Sequence, residues 1–389
     1  MKSLRAHRMD SFGTTIFAVM SALAQESGAV NLGQGFPDYD GPEEVISAAR
    51  EALAAGHNQY PPGRGVPQLR AAIADHQADR YGLAFDPDNQ ILVTAGATEA
   101  LAAAILGLCA PGDEVVFFEP YYDAYPALAA LAGARHRVVP LVPPQWTFDP
   151  AALEAAVSSR ARLVVVNSPH NPTGKVFSAL ELDQIAQVCV SHDLVAVTDE
   201  VYEHLVFDGS HIPLAAMDGM QERTITISSA AKTFSVTGWK IGWACGPGPL
   251  IDAVSRVKQF LTYASGTPLQ HAVAVGLRLG DERLDALCRE LRSKRDLLCS
   301  GLAEIGMKVF WPDSGYFTVA DIASISGTDA MTFCMEAPRR FGVVAIPAQV
   351  FYDSKDRAAT HVRWAFCKRR ETLEEGLLRL AKLGVERPR

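Results

Sequence analysis

The sequence predicts an α/β protein with a mainly parallel central sheet flanked by helices, joined to a smaller α+β lobe. Three observations carry this. Short, largely β-branched apolar runs recur through the first three quarters of the chain, and helical patterns separate them. After about residue 280 this rhythm gives way to one long amphipathic helix and a mixed tail. At 389 residues the chain also exceeds what a single hydrophobic core usually supports, so two lobes are expected.

The strand candidates are residues 91–95 (ILVTA), 115–118 (VVFF), 137–141 (RVVPL), 162–167 (RLVVVN), 194–198 (LVAVT) and 224–228 (TITIS). Each is short and mostly β-branched, and reads as a strand buried on both faces, as in a parallel sheet. Between them, Thr98 to Cys109 is rich in Ala and Leu and closes at Pro111-Gly112, the pattern of a helix and its stop. Ser178 and Glu181 have capping-box spacing ahead of Ile185, Val188 and Cys189, which predicts another helix start. From Asp281 to Ile305, Leu284, Leu287, Leu291, Leu298, Leu302 and Ile305 fall at helical spacing, predicting a long helix that leads into the smaller lobe. No internal repeat or long Gly/Ser linker interrupts the chain, so the lobes should pack closely.

The formal net charge of −8, with both signs scattered, argues against a nucleic-acid or anionic-membrane partner, which would call for a basic run. No stretch approaches the ~20 consecutive apolar residues of a membrane span, and the start, MKSLRAHRMDSFGTTIF, does not read as a signal peptide. The seven cysteines are widely spaced, without a C-x-x-C pair, and read as reduced thiols of a cytoplasmic enzyme rather than a disulfide framework or metal site.

Polar residues gather at the predicted strand ends, where open parallel sheets bind ligands. Asp199 closes LVAVTD, and Tyr202 follows three residues on. Asn167 closes RLVVVN ahead of Ser-Pro-His-Asn171-Pro-Thr-Gly174. Gly96-Ala97-Thr98 opens a helix and offers N–H groups plus a hydroxyl to an anion such as phosphate. Ser229 and Lys232 follow TITIS among small and apolar neighbours, which would lower the lysine's pKa towards nucleophilic use. Lys240 could add a second positive charge. Arg363, inside the apolar segment His-Val-Arg-Trp-Ala-Phe, needs an anionic partner, and its planar fork suits a carboxylate. Asp199 could instead cap the next segment, and Arg363 could form a structural ion pair.

In family order these motifs resemble the fold-type I pyridoxal-5′-phosphate (PLP) aminotransferases, class I, of the aspartate aminotransferase superfamily. The markers are Asn31-Leu-Gly-Gln-Gly-Phe-Pro-Asp38, Asn171-Pro-Thr-Gly174, Asp199-Glu-Val-Tyr202, Ser229-x-x-Lys232, Gly238-Trp-Lys-x-Gly242 and His361-Val-Arg-Trp364, spanning nearly the whole chain. The resemblance implies that Lys232 carries PLP as a Schiff base and shuttles the proton at Cα, and that Asp199 pairs with the pyridine nitrogen. It gives Tyr202 and Asn171 to the ring's 3′-oxygen and Tyr122 to the ring face. Ala97, Thr98, Ser229 and Lys240 would hold the phosphate, with Tyr60 reaching it from a second subunit. Arg363, Asn171 and the backbone of Gly35 would hold the substrate carboxylate, and Tyr263 would join them across the dimer. A homodimer follows, as does a division into an N-terminal arm and part of the small domain (1–40), a large PLP-binding domain (41–285) and a C-terminal small domain (286–389), the small domain drawing on both chain ends. Ala231 and Lys240 depart from the residues commonest at their positions, which bears on how tightly phosphate is gripped.

Acidic-substrate members use a second arginine from the partner subunit, and the stretch Val257 to Pro268 offers Tyr263 but no arginine. With Gly13-Thr-Thr-Ile-Phe17 this implies an apolar, aromatic distal pocket, similar to the kynurenine, glutamine and methionine aminotransferases. The segments Glu222 to Lys232 and Gly238 to Gly246 also resemble N-succinyldiaminopimelate aminotransferases, whose substrate has a distal carboxylate; Arg64 is the candidate partner for it. A cysteine-conjugate β-lyase or an amino-acid oxidase could use the same Lys232, Asp199 and Arg363. A non-catalytic PLP-binding regulator would ordinarily need a DNA-binding module, and the aminotransferase pattern begins early in the chain.

Overall fold

The computed structural model describes residues 6–384. The outermost parts of the two end segments, residues 1–5 and 385–389, lie outside the described residues.

Seven strands form the central sheet: β1 (Ile91–Thr94), β2 (Glu114–Glu119), β3 (Arg135–Pro140), β4 (Ala161–Asn167), β5 (Val195–Asp199), β6 (Thr224–Ser229) and β7 (Gly242–Cys245). Their order is β1-β7-β6-β5-β4-β2-β3. The pairs from β6 through β5, β4 and β2 to β3 are parallel, and β7 runs against both of its neighbours. Both faces are buried through the middle of the sheet. On β2, Val115 and Phe117 pack into one core with Ala100, Ile105 and Ile251, whereas Val116 and Phe118 pack into another with Ile185 and Leu182. This is why β2, β4 and β5 read as largely apolar runs and not as alternation, whereas β6, Thr-Ile-Thr-Ile-Ser-Ser, buries its hydroxyl residues as well.

Two readings change. β3 is an edge strand whose alternate residues are exposed or half-buried, not one buried on both faces. It still reads as apolar because Val138 packs partly against the core on one face and Val139 and Leu141 into the core on the other, while Arg135 and Arg137 are exposed. β7, within Ile-Gly-Trp-Ala-Cys, was not among the strand candidates; it is short, begins with glycine and carries an antiparallel ladder.

Four further strands, β8 (Lys308–Phe310), β9 (Phe317–Asp321), β10 (Ile346–Pro347) and β11 (His361–Ala365), make an antiparallel sheet of order β10-β11-β9-β8. The N-terminal segment joins this part: Val30–Asn31 pairs with Val343–Val344. The long helix runs from Asp281 to Ile305 as its periodicity predicted. Leu284 packs into a core beside the large sheet, while Leu291, Leu298 and Leu302 pack beneath the small one. One helix therefore ties the two layers together. The helix after Ser178 has both reciprocal capping-box bonds. All seven cysteines are free, and no helix among the described residues is long and apolar enough to cross a membrane.

The strand ends are set by a few close approaches. Asn167 and Asp199 are register partners on β4 and β5, so their side chains leave the sheet together. Gly242 pairs with Thr94 on one side and Ser229 on the other. A Cβ at Gly242 would stand 2.6 Å from the Gly96 carbonyl carbon and 2.7 Å from the Ala97 nitrogen. Its absence lets β7 press against the turn that opens the helix Ala97–Leu108. Gly242→Ala should therefore push backbone against backbone and cost about 1–3 kcal/mol, seen as a lower urea midpoint; a wild-type midpoint would refute this account of the turn.

Candidate active site

The carboxyl ends of β4, β5 and β6, the start of the helix Ala97–Leu108 and the segment Gln34–Phe36 enclose a cavity of about 240 Å³. Phe317 and Arg363 from the small sheet close it. Lys232, Asp199, Tyr202, Ala97, Thr98, Tyr122, Asn171, Ser229, Lys240, Gly35 and Arg363 all line it. Residues as far apart in sequence as Gly35 and Arg363 are thus brought to one place.

Asp199 is buried at the end of β5. Its Oδ2 accepts a 2.7 Å hydrogen bond from the Tyr125 hydroxyl, and its Oδ1 has no partner. Burial pushes its carboxyl pKa up to about 6, against the opposing pull of the Tyr125 bond and Lys232. The carboxylate is held in place but left with one oxygen for a further cationic donor. Asn167 beside it donates to the Asp199 carbonyl at 2.8 Å and accepts the Asn171 N–H at 2.7 Å. That folds the Ser168–Gly174 turn back so that Asn171 Oδ1 meets Arg363 at 3.1 Å.

Lys232 sits on a one-turn helix, Ala230–Thr233, directly after β6. Its Nζ donates to the Gly35 carbonyl at 3.3 Å and lies 5.9 Å from the centre of the Tyr202 ring. Burial pushes the ammonium pKa down; Arg363 and Lys240 act the same way, against Asp199. Tyr202 is buried with its ring edge-on to Tyr316 and Phe317. Lys240, in a left-handed conformation with φ 54°, brings its Nζ to 3.0 Å from where a Cβ on Gly96 would stand. Glycine at 96 therefore makes room for an ammonium at a helix N-terminus, beside Ser229, Ala97 and Thr98. Cation, hydroxyls and free helix N–H groups converge there as a doubly charged anion requires. Tyr122 walls the same corner, its hydroxyl pKa pushed up to about 12 by burial.

Arg363 is buried in the middle of β11. Its guanidinium donates to two neutral oxygens, Asn171 Oδ1 and the Gly33 carbonyl at 2.9 Å, while its Nε has no partner. It lies 3.8 Å from the centre of the Phe317 ring, with Phe351 and Phe17 further out. Desolvation lowers its pKa to about 10. No structural ion pair of Arg363 is seen among the described residues; the charge faces the cavity.

Two of the expected site residues lie elsewhere. Tyr60, 82 % exposed, and Tyr263 contact each other edge to face at 5.3 Å on the surface of this chain. Arg64 is also outside the cavity lining; it donates to the Asn89 carbonyl and approaches Asp252 at 3.6 Å. Sequence reasoning missed Tyr125 and Phe317. Tyr125 had a signal, since it stands one helical turn after Tyr122. Phe317 had none: its place over Arg363 and against Gly35, where a Cβ would come within 2.3 Å of its ring, exists only in three dimensions.

Comparison with known proteins points the same way. The family model for aminotransferase class I and II matches residues 27–380. A Mycobacterium tuberculosis protein described as a probable N-succinyldiaminopimelate aminotransferase is 52% identical over 98% of both chains. A methionine aminotransferase of Escherichia coli is 39% identical over 97% of both. The solved structure of N-succinyldiaminopimelate aminotransferase from M. tuberculosis superposes with a TM-score of 0.96, at 52% identity, covering 97% of this chain and all of that one.

Asp199 gives the cofactor-free protein a pH dependence with a definite sign. Its native pKa, about 6, exceeds the unfolded value of about 3.9, so the folded state binds more protons between them. The stability it contributes is present in full below about pH 4 and is lost as pH rises through about 6. Relative to Asp199→Asn, the cofactor-free wild type should lose melting temperature across that window. A difference between the two proteins that stays constant with pH would refute this.

Proposed function

We propose, on the premise that this chain belongs to the class I and II aminotransferase family and is a PLP-dependent aminotransferase, that Lys232, Asp199 and Tyr202 carry the chemistry and Arg363 selects α-carboxylates. The observation that bears most weight is a pair of cations, half-buried Lys232 and buried Arg363, in one cavity with a carboxylate oxygen on Asp199 that has no partner. Those orphaned groups fit the cofactor: a pyridine nitrogen for Asp199 Oδ1, a phosphate for Lys240, Ser229, Ala97 and Thr98, and a ring face for Tyr122. When bound, PLP supplies an electron sink for the carbanion formed at the substrate Cα.

The chain's own residues do the rest. Lys232 Nζ anchors the cofactor and serves as the base that removes and returns the proton at Cα. Burial keeps that amine from being locked in its charged form, as a base requires. Asp199 Oδ1 holds a proton on the ring nitrogen, and Tyr125 fixes the other oxygen so that the carboxylate cannot rotate away. Arg363 binds the substrate carboxylate through the donors it has left, with Asn171 and the Gly35 backbone beside it. That grip sets which bond at Cα faces Lys232. Tyr202 and Asn171 are placed for the ring's 3′-oxygen. The same groups serve both half-reactions of a ping-pong transfer from an L-amino acid to a 2-oxo acid.

For the donor, N-succinyldiaminopimelate is the first reading, supported by the 52% identical relative. A neutral, aromatic or sulfur amino acid is the second, supported by the cavity wall of Phe17, Phe36, Leu101 and Phe317. The protein is also proposed to work as a homodimer in which Tyr60 completes a neighbour's phosphate site and Tyr263 its substrate pocket; the exposure of both tyrosines, and of Phe260, supports this. The three-part division at residues 40 and 285 is part of the same reading, supported by the separation of the seven-stranded sheet from the four-stranded one, and the cytoplasm is the proposed compartment.

A panel of amino donors and 2-oxo acids, followed by the cofactor's absorption, tests this. Lys232→Ala should lose covalent cofactor attachment and transfer; retained attachment would sink the assignment. Release of ammonia without a keto-acid acceptor would favour a lyase. Arg64→Ala should raise KM for N-succinyldiaminopimelate and leave methionine unaffected. Equal changes for both donors would remove Arg64 from the distal site.

A further inference from the structure

Behind Lys232, on the side away from the cavity, lies a buried polar group with no part in the mechanism above. His76 Nε2, from the helix Pro67–Tyr81, meets His204 Nε2 at 2.7 Å. His204 Nδ1 meets the Thr233 hydroxyl at 2.8 Å. Glu203 is buried beside them, with Oε1 taking the Ser228 hydroxyl and Oε2 unpartnered. The ligand-type atoms of His76, Glu203 and His204 lie within 4.8 Å of one another, so a metal has to be considered. The imidazole contact decides against one. Two nitrogens bound to a tetrahedral zinc at about 2.05 Å stand about 3.3 Å apart, whereas 2.7 Å is a hydrogen bond. Donation runs through the chain in either sense, from His76 through His204 to Thr233 or from the Thr233 hydroxyl through His204 to His76, according to the imidazole tautomers. Burial pushes the pKa of both imidazoles down, against the opposing pull of Glu203, so both rings are neutral and the contact between them holds a single proton.

Thr233 is the residue after Lys232 in a helix of only four residues. A single turn does not hold its own shape in water, so its orientation depends on outside anchors. One is the Tyr316 hydroxyl, which donates to the Lys232 carbonyl at 2.5 Å. Another is the Ala230 N–H, bonded to the Ile241 carbonyl at 3.1 Å. The third is the Thr233–His204–His76 chain.

We propose that His76 and His204, acting through Thr233, are positioning residues that orient the Lys232 turn towards the substrate. This rests on the reading that Lys232 carries the cofactor. The chain binds nothing itself; it fixes the direction from which Nζ approaches. Loss of one hydrogen bond of this kind should slow steps that need the lysine by about threefold to tenfold, without loosening Arg363's hold on the carboxylate.

The test uses Thr233→Val, which deletes the hydroxyl, Thr233→Ser, which keeps it, and His76→Phe, which removes the far end of the chain. Two rates are read: covalent uptake of PLP by the cofactor-free protein, and kcat per bound cofactor. The Val and Phe variants should be slower in both with donor KM unchanged, and Ser should restore both. If Thr233→Val does not fold, His76→Phe against wild type decides. Wild-type rates in the folded variants, a change in KM alone, no recovery with Ser, or a stoichiometric metal in the purified protein would each overturn the proposal. Lys232→Ala separates the two readings: covalent uptake in that variant would overturn the role of Lys232, whereas its loss there beside wild-type rates in Thr233→Val would overturn only the positioning chain.

Discussion

Everything at the cavity depends on keeping two cations and a carboxylate out of water without letting them neutralise one another. Arg363 and Asp199 are buried and Lys232 is half-buried, yet Lys232 and Arg363 reach only neutral oxygens in the chain, and Asp199 takes a neutral phenol. Direct pairing would be the easy arrangement, because an unpaired buried charge costs several kcal/mol. The fold forgoes it by seating each charge on a separate element: β5, the turn after β6, and β11. The result is a site whose electrostatic balance is completed by ligands, so binding and burial are the same event. The raised pKa of Asp199 and the lowered ones of Lys232 and Arg363 share their leading cause, desolvation.

The sheets supply the separation. Parallel strands put their carboxyl ends on one edge, and the Asn167–Asp199 register fixes two polar side chains there without a loop's freedom. The small sheet then delivers Arg363 from the opposite side, paired across β11 with Val319 and Ile346. Between the two runs the segment Gly33 to Phe36, whose carbonyls are taken in turn by Arg363, Lys232 and Lys368. Three cations hold one strap of backbone. The strap can lie that close only because Gly35 has no side chain to strike Phe317.

Much of this was legible in the sequence, and the reason is local. Buried parallel strands announce themselves by composition, and the helix at 281–305 by period, because each pattern is set within a few neighbouring residues. The polar residues at strand ends were legible for the same reason: topology places whatever follows β4, β5 and β6 on one edge. β7 was hidden because an antiparallel strand that begins with glycine has neither length nor β-branched density, and its position depends on the turn at Gly96. β3 was misjudged because three apolar residues facing inward look alike on an edge or in the middle. Phe317 and Tyr60 show the remaining limit: one acts through a contact between distant segments, the other lies on a surface that a single chain leaves open.

The same division explains why reaction class is more firmly written than substrate. The groups proposed to meet the reacting atoms are pinned by strand register, buried hydrogen bonds and glycine contacts. The wall facing a substrate side chain is made of Phe17, Phe36, Leu101 and Phe317, which offer shape but few polar requirements. Apolar walls discriminate weakly, at about 1–3 kcal/mol per methylene, whereas a polar site rejects ligands that leave its groups unpaired far more strongly. A distal carboxylate would need a polar partner that this wall does not contain. Arg64 is the basic residue proposed for that task, and in this chain it is engaged by the Asn89 carbonyl and Asp252. An acidic substrate therefore has to supply enough interaction to draw Arg64 from those partners, or find its cation on a second copy of the chain. Choice of substrate is thus decided at the periphery, by contacts made after the chemistry has already been fixed.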